Sequence, residues 1–490
     1  MPNPSSLALL TDLYQLTMAY TYWKSGTHNK QAVFHLYFRE NPFKGGFTIA
    51  CGLQTAVNFL SRFKFDDDDL RYLATLREGE DRPLFDDAFL KFLGRMKFEC
   101  DVAAVEEGTV VFPNEPLVRV TGPILQGQLL ETPLLNIINF QSLIATKAAR
   151  VCFAAKGDPV LEFGLRRAQG YDGAVVAARA AYIGGCAATS NVLAGKLYGI
   201  PVKGTHAHSW IMSFPTELEA FEEYAKAMPH NCHFLVDTYD TLNGVRNAIT
   251  VGKKLKAQGK KLLGVRIDSG DLAYLSQQAR RMLDEAGFND TRIVATNDLD
   301  ETIIESLKDQ DAKISVWGVG TKLATCYDQP ALGGIYKLSA IKTAGGQWED
   351  KIKLSENQSK TSHPGILQVR RFSKDRKNVA DAVFDVRLEG TSEFTIIDPA
   401  DMTRKKIIPP GLEHEDLLVP VFANGQCVYK SPDIGQMRAH TLESLSRFDQ
   451  SLKRFINPHA YPVGFERSLY EHKIDLILQA RNQNDRAHHR

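Results

Sequence analysis

The chain has 490 residues, of which 43% are hydrophobic and 24% charged, as is ordinary for a globular protein of two or three domains. Its formal net charge of +1 indicates neither nucleic acid nor an anionic membrane surface as a partner. We find no apolar run long enough to span a membrane and no secretory leader, so we expect a cytoplasmic protein. Seven scattered cysteines without a CxxC pair argue against a disulfide framework or a zinc cage.

The first 135 residues combine helical and strand patterns. An apolar stripe over residues 9–26 predicts an amphipathic helix, on which Tyr14 lies outside the stripe. The alternating segment 32–40 predicts a strand, and the segment 106–120 predicts a hairpin that turns at its two prolines. We therefore expect a mixed α/β domain over residues 1–135.

Between residues 136 and 345, short apolar segments alternate with helical ones, which is typical of a parallel sheet with crossover helices. So many units in one run favour an irregular, TIM-like α/β barrel over an open sheet. Most apolar segments end in Arg, Asp, His, Asn or Gly, and in a barrel these ends meet at the rim that carries the chemistry. The predicted strands are 159–164, 200–209, 233–239, 261–271, 291–298, 314–321 and 334–341.

Residues 346–490 contain further strand patterns and a helical region near residue 440. We expect this third segment to pack on the N-terminal domain. The predicted organisation is thus an N-terminal domain over 1–135, a barrel over 136–345, and a C-terminal segment over 346–490.

The motif GTHAHSW contains His206 and His208. On an extended strand, residues two apart face the same side. Three interpretations stay open: both are metal ligands, one is a nucleophile or phosphoryl acceptor, or both are structural. The metal interpretation is weaker, because the nearest further histidines, His230 and His233, stand at the start of the next predicted strand and would lie at the opposite end of the barrel.

The motif GVRIDSGD places Arg266 and Asp268 two residues apart on another predicted strand. The planar guanidinium of Arg266 suits phosphate or carboxylate, and Asp268 could hold ribose hydroxyls or a magnesium ion. A structural ion pair is the alternative. Asp271, which follows a glycine, is expected to cap the next helix instead.

Two further strand ends offer ligand-binding groups. Phe163 and Arg166 supply an aromatic face and a guanidinium, which suit a flat anionic ring, although a strand phenylalanine is usually a core residue. Gly318, Gly320 and Thr321 lie in WGVGT, where backbone N–H groups can cradle a phosphate or form an ordinary turn.

The predicted rim also gathers Asn297 and Asp298. Two arginines, carboxylates, a histidine pair and a glycine-rich turn together suit a phosphorylated sugar and an anionic aromatic acid.

These residues belong to long, ordered motifs that resemble the nicotinate phosphoribosyltransferase family over nearly the whole chain. The resemblance implies an α/β sandwich domain on an irregular α/β barrel, with the sandwich completed by C-terminal segments. The motifs that carry it are LLTDLYQLTMAY, FRENPFKGGF, EGTVVFPNEPLVRV, EFGLRRAQGYDGAVVAARAAYIGG, GTHAHSW, VDTYDTLNGVRNAI, RIDSGDL, ATNDLDE, GVGTKLATCYDQPALGGIYKL and NPHAYPVGFERSL.

The resemblance also implies an activity: nicotinate and phosphoribosyl pyrophosphate would give nicotinate mononucleotide and pyrophosphate, in NAD biosynthesis. It implies ATP as a co-substrate, Mg²⁺ as a cofactor, and a homodimer with shared active sites. His208 would be the phosphorylated residue, while position 206 is less often His in the family. Asp268 and the turn 318–321 would hold the ribose phosphate. The nicotinate pocket would be formed by Phe163, Arg166, Arg266 and, from the partner subunit, Tyr14.

Three alternatives remain beside this interpretation. Nicotinamide phosphoribosyltransferase resembles the chain in fold, but its pocket uses an acidic residue to accept the amide N–H. Residues 180–195 contain no Asp or Glu and offer Thr189 and Ser190, which can donate to a carboxylate. The other two alternatives are a non-catalytic phosphosugar-binding protein on the same fold and a metal-dependent hydrolase.

Overall fold

The computed structural model describes residues 6–79, 81–355, 361–388 and 394–488. The α-helices of these residues are, in chain order, α1 Leu13–Lys24, α2 Leu53–Leu60, α3 Asp67–Leu73, α4 Asp87–Arg95, α5 Ile124–Leu129, α6 Glu131–Ala154, α7 Tyr171–Ile183, α8 Val192–Tyr198, α9 His208–Met212, α10 Glu217–Ala227, α11 Thr241–Ala257, α12 Leu272–Glu285, α13 Glu301–Asp309, α14 Thr321–Ala324, α15 Ile434–Ser446 and α16 Arg467–His488. The strands are β1 Gln31–Phe38, β2 Thr48–Ile49, β3 Arg77–Glu78, β4 Arg82–Pro83, β5 Asp101–Val105, β6 Val110–Val111, β7 Val118–Pro123, β8 Val160–Glu162, β9 Ala188–Thr189, β10 His233–Leu235, β11 Gly264–Ile267, β12 Arg292–Ala295, β13 Val316–Val319, β14 Gly334–Lys342, β15 Trp348–Asp350, β16 Leu367–Lys374, β17 Lys377–Asp385, β18 Phe394–Ile397, β19 Lys405–Ile408, β20 Glu413–Asp416, β21 Leu418–Ala423, β22 Gln426–Cys427 and β23 Val463–Glu466.

The chain divides into two compact units. Unit 1 comprises residues 1–142, 331–433 and 440–490, and unit 2 comprises residues 143–330 and 434–439. The domain boundaries expected from the sequence stay predictions.

Unit 1 contains two larger sheets. A seven-stranded sheet has the order β15-β14-β1-β7-β5-β21-β22, and a six-stranded sheet has the order β19-β18-β23-β17-β16-β20. Strand β1 is buried along nearly its whole length, and its His35 accepts a hydrogen bond from the backbone N–H of Leu367 at 3.2 Å. The second sheet buries an apolar cluster that includes Phe372, Phe384, Phe394, Ile396 and Ile408.

Two expectations for unit 1 were wrong. The segment 106–120 is not a hairpin: β6 pairs with β2, whereas β7 pairs with β1 and β5. The segment 334–341 does not join the parallel sheet, because β14 pairs antiparallel with β1. Between β13 and β14 the only α-helix is the four-residue helix α14, so no long crossover helix precedes β14.

Unit 2 is built on a parallel six-stranded sheet with the order β10-β11-β12-β13-β8-β9. The first strand, β8, pairs with the last, β13, so the order follows a ring. A single parallel bridge between Thr189 and Val202 extends the sheet, and this bridge replaces the expected strand 200–209. No pairing in the described residues joins Val202 to β10, so closure into a barrel stays a prediction.

Three of the helices that connect these strands begin at aspartate caps. The side chains of Asp240, Asp271 and Asp300 accept backbone N–H groups in the first turns of α11, α12 and α13. The expected cap at Asp271 is thereby confirmed. Within the described ranges, no helix combines the length and the apolar character needed to cross a membrane.

Candidate active site

The parallel strands of unit 2 bring their carboxyl ends, and the polar residues that follow them, to one edge of the sheet. We call this edge the strand-end site. Around the sheet it comprises Asp237 and Thr238 after β10, Arg266 in β11 and Asp268 after it, Thr296 after β12, Gly320 after β13, Phe163 after β8, Ser190 after β9, and His208 at the start of α9.

Arg266 and Asp268 form the centre of the strand-end site. As the two-residue spacing predicted, both side chains face the same way, and Arg266 Nη2 donates to Asp268 Oδ1 at 2.9 Å. Arg266 Nε donates to Thr296 Oγ1 at 2.9 Å, and Nη1 donates to Thr205 Oγ1 at 3.1 Å. Three of the five guanidinium N–H groups are thus used, and the described residues leave two for a ligand.

His208 lies beside this pair, at the first position of α9. Its Nδ1 is 3.1 Å from Thr238 Oγ1, and its Nε2 is 4.0 Å from Asp268 Oδ2. The side chain is 41% exposed, so a ligand can reach the ring. This position suits a nucleophile or a phosphoryl acceptor.

His206 has a different environment, so the expectation that both histidines face one side was wrong. The chain changes from extended to helical after Ala207, which separates the two rings. His206 is buried against Phe221 and Tyr224, and its Nε2 accepts the N–H of Leu235 at 3.3 Å. Burial lowers the pKa of His206 to about 4, while a backbone hydrogen bond at Ala207 opposes the shift and the charge of Arg266 adds to it, so the ring is neutral at pH 7.

Asp237 supports Asp268 from the neighbouring strand. Its Oδ2 accepts the backbone N–H of Asp268 at 2.9 Å and the hydroxyl of Ser269 at 2.7 Å. Its Oδ1 is buried and has no hydrogen-bond partner in the described residues. An unused carboxylate oxygen beside Asp268 provides the oxygen chemistry that magnesium prefers.

Phe163 lies against the glycine-containing strand β13. A Cβ placed on Gly318 would lie 2.9 Å from the Phe163 ring and 2.6 Å from the methyl group of Thr296. Gly318 therefore permits the close approach of these two side chains and lies within the strand rather than in a turn. One face of the strand-end site is consequently aromatic.

Glu162 holds the ends of β8 and β9 together. Its Oε2 accepts the hydroxyl of Thr189 at 2.6 Å, and its Oε1 accepts the N–H of Gly164. Burial raises the pKa of Glu162, while the two hydrogen bonds partly offset that rise. Because the Thr189 hydroxyl donates its hydrogen bond to Glu162, Ser190 is the hydroxyl that can donate to a ligand at this strand end.

The remaining predicted residues lie at four places. Arg166 is exposed on a short 3-10 helix after β8, and Asn297 is exposed with a left-handed φ of 104°. Gly320 lies between β13 and α14, and Thr321 is the first residue of α14. Tyr14 belongs to unit 1, on α1, where it is 49% exposed.

The sequence interpretation missed five residues of the site. Thr205, Thr238 and Thr296 hold Arg266, His208 and Asp268, while Asp237 and Glu162 anchor neighbouring strand ends. The available signal was their place beside the chosen motifs: each occurs within a few residues of a predicted strand end. Within the described residues, no group of three or more His, Cys, Asp or Glu side chains is placed to hold a metal ion.

Comparison with known proteins gives the family. Residues 9–139 match the N-terminal domain of nicotinate phosphoribosyltransferase, residues 159–386 match the nicotinate phosphoribosyltransferase family, and residues 368–473 match the C-terminal domain of that enzyme.

Individual relatives match along almost their whole length. Nicotinate phosphoribosyltransferase of Bacillus subtilis is 43% identical over 98% of this chain and 96% of its own. Nicotinate phosphoribosyltransferase 2 of Arabidopsis thaliana is 42% identical over 96% of this chain and 94% of its own. The crystal structure of human nicotinic acid phosphoribosyltransferase superposes with a TM-score of 0.83 at 32% identity, covering 95% of this chain and 99% of that one. The chain belongs to the nicotinate phosphoribosyltransferase family.

Proposed function

We propose that the chain transfers the phosphoribosyl group of phosphoribosyl pyrophosphate to nicotinate, which yields nicotinate mononucleotide and pyrophosphate. The observation that carries the proposal is the convergence of His208, Arg266 and Asp268 at the strand-end site of a chain in this family. In the reaction, the bond from ribose C1 to pyrophosphate breaks and the pyridine nitrogen forms a bond to C1.

The residues of the site suit both substrates. The ring of Phe163 offers a face for the pyridine, and the exposed Arg166 offers a fork for the nicotinate carboxylate. The unused N–H groups of Arg266 would stabilise negative charge on the substrates, and Asp268 would bind ribose hydroxyls. The backbone from Gly318 to Thr321, together with Asn297, would hold the ribose phosphate.

The preference for nicotinate over nicotinamide has a structural argument. Nicotinamide needs an acceptor for its amide N–H, and the acidic residue nearest to Thr189 that could accept it is Glu162. Both oxygens of Glu162 already accept hydrogen bonds from the protein, so its carboxylate is engaged by Thr189 and Gly164 rather than by a substrate amide. Ser190 can donate to a carboxylate instead.

The proposal includes ATP hydrolysis through His208. An imidazole nitrogen would attack the γ-phosphorus of ATP, the bond to ADP would break, and water would later cleave the phosphorus–nitrogen bond to release phosphate. The position of His208, open to solvent and 4.0 Å from Asp268, supports this role.

Mg²⁺ is part of the same proposal. Asp237 and Asp268 fit this ion, because each has a carboxylate oxygen without a hydrogen-bond donor in the described residues. When bound, Mg²⁺ would neutralise charge on the departing pyrophosphate.

Two architectural expectations also remain proposals: the closed irregular barrel, and a homodimer in which Tyr14 completes the partner's site. Co-expression of Tyr14→Ala and His208→Ala chains with different tags tests the second. A mixed dimer with shared sites contains one intact site, so random pairing recovers roughly a quarter of the activity. If a verified mixed dimer is inactive, Tyr14 does not act across the interface.

The decisive assay compares nicotinate and nicotinamide as acceptors, with and without ATP. We expect a preference for nicotinate of about 10²-fold or more in kcat/KM, because a site built for a carboxylate rejects the neutral amide. Comparable values would favour the nicotinamide alternative. Binding of phosphoribosyl pyrophosphate without any transfer would favour the non-catalytic alternative.

Labelling with γ-labelled ATP tests the histidine. His208→Ala is expected to abolish labelling and ATP hydrolysis, while slow ATP-independent transfer survives because both substrates are still positioned. His206→Ala is the matched comparison, and labelling retained by His208→Ala but lost in His206→Ala would reverse the assignment.

A further inference from the structure

We propose that Thr296 is a positioning residue that sets the orientation of both Arg266 and Asp268 through one hydroxyl group. Through its methyl group it also supports the ring of Phe163. This inference rests on the proposed function and concerns the same site. Thr296 immediately precedes the residue that the sequence motif had singled out, Asn297, and it is buried where Asn297 is exposed.

The hydroxyl of Thr296 joins two charged groups. It accepts the Nε–H of Arg266 at 2.9 Å and donates its own proton to Asp268 Oδ1. A hydroxyl has a single proton, so this pattern uses it fully and fixes the rotamer of Thr296. Both partners are ionic groups, and hydrogen bonds of this kind are roughly twice as strong as neutral ones.

The consequence for Asp268 is a distinction between its two oxygens. Oδ1 accepts from both Arg266 and Thr296, whereas Oδ2 has no hydrogen-bond donor in the described residues and faces His208 Nε2 at 4.0 Å. Thr296 thereby keeps Oδ2 available for a substrate hydroxyl, a cation or the imidazole. Without the hydroxyl, the carboxylate can rotate towards the guanidinium and form a bidentate pair.

The methyl group of Thr296 makes a separate, apolar contact. It lies on the bare backbone of Gly318, beside the ring of Phe163, as the 2.6 Å and 2.9 Å distances from a Cβ placed on Gly318 show. Because this contact needs only a methyl group, the two halves of the side chain can be tested independently.

Two substitutions separate these halves. Thr296→Val keeps the shape and removes the hydroxyl, and we expect kcat to fall about 10- to 100-fold, as for the loss of hydrogen bonds to charged groups. Thr296→Ser keeps the hydroxyl and removes the methyl, and we expect kcat within about threefold of the original, with a raised KM for nicotinate. If Thr296 had only a structural role, the two variants would not differ in this way, with Thr296→Val lowering kcat and Thr296→Ser raising KM.

Two further variants serve as controls. Thr205→Val removes a hydrogen bond to Arg266 and none to Asp268, so its loss in kcat should be smaller than that of Thr296→Val. Thr250→Val removes an exposed hydroxyl that bonds to its own helix, and it should leave activity unchanged. The melting temperature of each variant shows whether it is folded.

Binding of phosphoribosyl pyrophosphate by calorimetry gives a readout that does not depend on turnover. If the unaltered chain binds but does not transfer, the proposed function fails, while weakened binding by Thr296→Val would still support the positioning role. If the unaltered chain is active and folded Thr296→Val matches it in kcat and binding, the inference about Thr296 is wrong. The same holds if Thr296→Ser loses as much kcat as Thr296→Val.

Discussion

Two arginine–aspartate pairs of this molecule have the same chemistry and opposite surroundings. Arg371 and Asp381 face each other on the antiparallel strands β16 and β17 of unit 1, with side chains 2% and 0% exposed. Arg266 and Asp268 lie along one strand end of unit 2, with side chains 15% and 31% exposed. Both pairs have an Nη2–carboxylate contact of hydrogen-bond length, at 2.5 Å and 2.9 Å.

The two pairs differ in whether a carboxylate oxygen of the aspartate remains without a hydrogen-bond donor. Both oxygens of Asp381 accept from Arg371, and the hydroxyl of Tyr461 donates to Oδ1 as well. Burial raises the pKa of the neighbouring Glu115, and Asp381 raises it further. Asp268 instead retains an oxygen without a donor in the described residues. In a closed, buried pair of this kind each partner compensates the other's charge, whereas an open pair can bind a ligand.

The largest effect on stability should come from breaking the closed pair. Asp381→Ala leaves the guanidinium of Arg371 buried without its carboxylate, and we expect the free energy of unfolding to fall by about 3–5 kcal/mol. Chemical denaturation measures this loss. Asp416→Ala removes the partly exposed partner of Arg370 and is the matched control, with an expected loss under about 1 kcal/mol. Equal losses in the two variants would contradict the distinction.

Breaking the open pair should affect activity rather than stability. Asp268→Asn keeps the shape of the side chain and removes its charge, and we expect kcat/KM to fall about 10²- to 10³-fold. The melting temperature should stay close to that of the unaltered chain, because the side chain is partly solvated. Destabilisation as large as that of Asp381→Ala would instead assign Asp268 to the structure.

A smaller loss is expected when the open pair keeps its charge and loses its geometry. Arg266→Lys cannot bond to Thr205, Thr296 and Asp268 at once while offering two N–H groups to a ligand. We expect kcat/KM to fall by about tenfold or more. Steady-state kinetics for both substrates test this, and unchanged KM values for both would show that Arg266 has a structural role.

The smallest effect concerns His206 and pH. Its pKa of about 4 in the folded chain lies below the ordinary value of 6.5, so unfolding at acidic pH takes up a proton. The stability that His206 contributes is complete above about pH 6.5 and declines as the pH falls towards 4. His206→Gln removes this titration, so its melting temperature should fall less steeply over that range. Parallel curves for the two proteins would contradict the prediction.

Local patterns predicted much of the fold and part of the site. The spacing of Arg266 and Asp268 placed both on one side of a strand, and Asp271 proved to be a helix cap. The same reasoning failed for His206 and His208, because a helix begins between them. It also placed the segment 334–341 in the parallel sheet, since an apolar strand pattern does not say which strand will be its neighbour.

The sequence by itself determined most of the alternation of strands and helices in unit 2, the cap at Asp271 and the family, because these are carried by short motifs of neighbouring residues. Tertiary structure alone decided that Thr296 joins Arg266 to Asp268, across 30 and 28 residues of sequence. It also decided that the Arg371–Asp381 pair is closed and the Arg266–Asp268 pair is open. Burial and hydrogen-bond partners arise from contacts between distant segments, and a local sequence pattern does not predict these contacts.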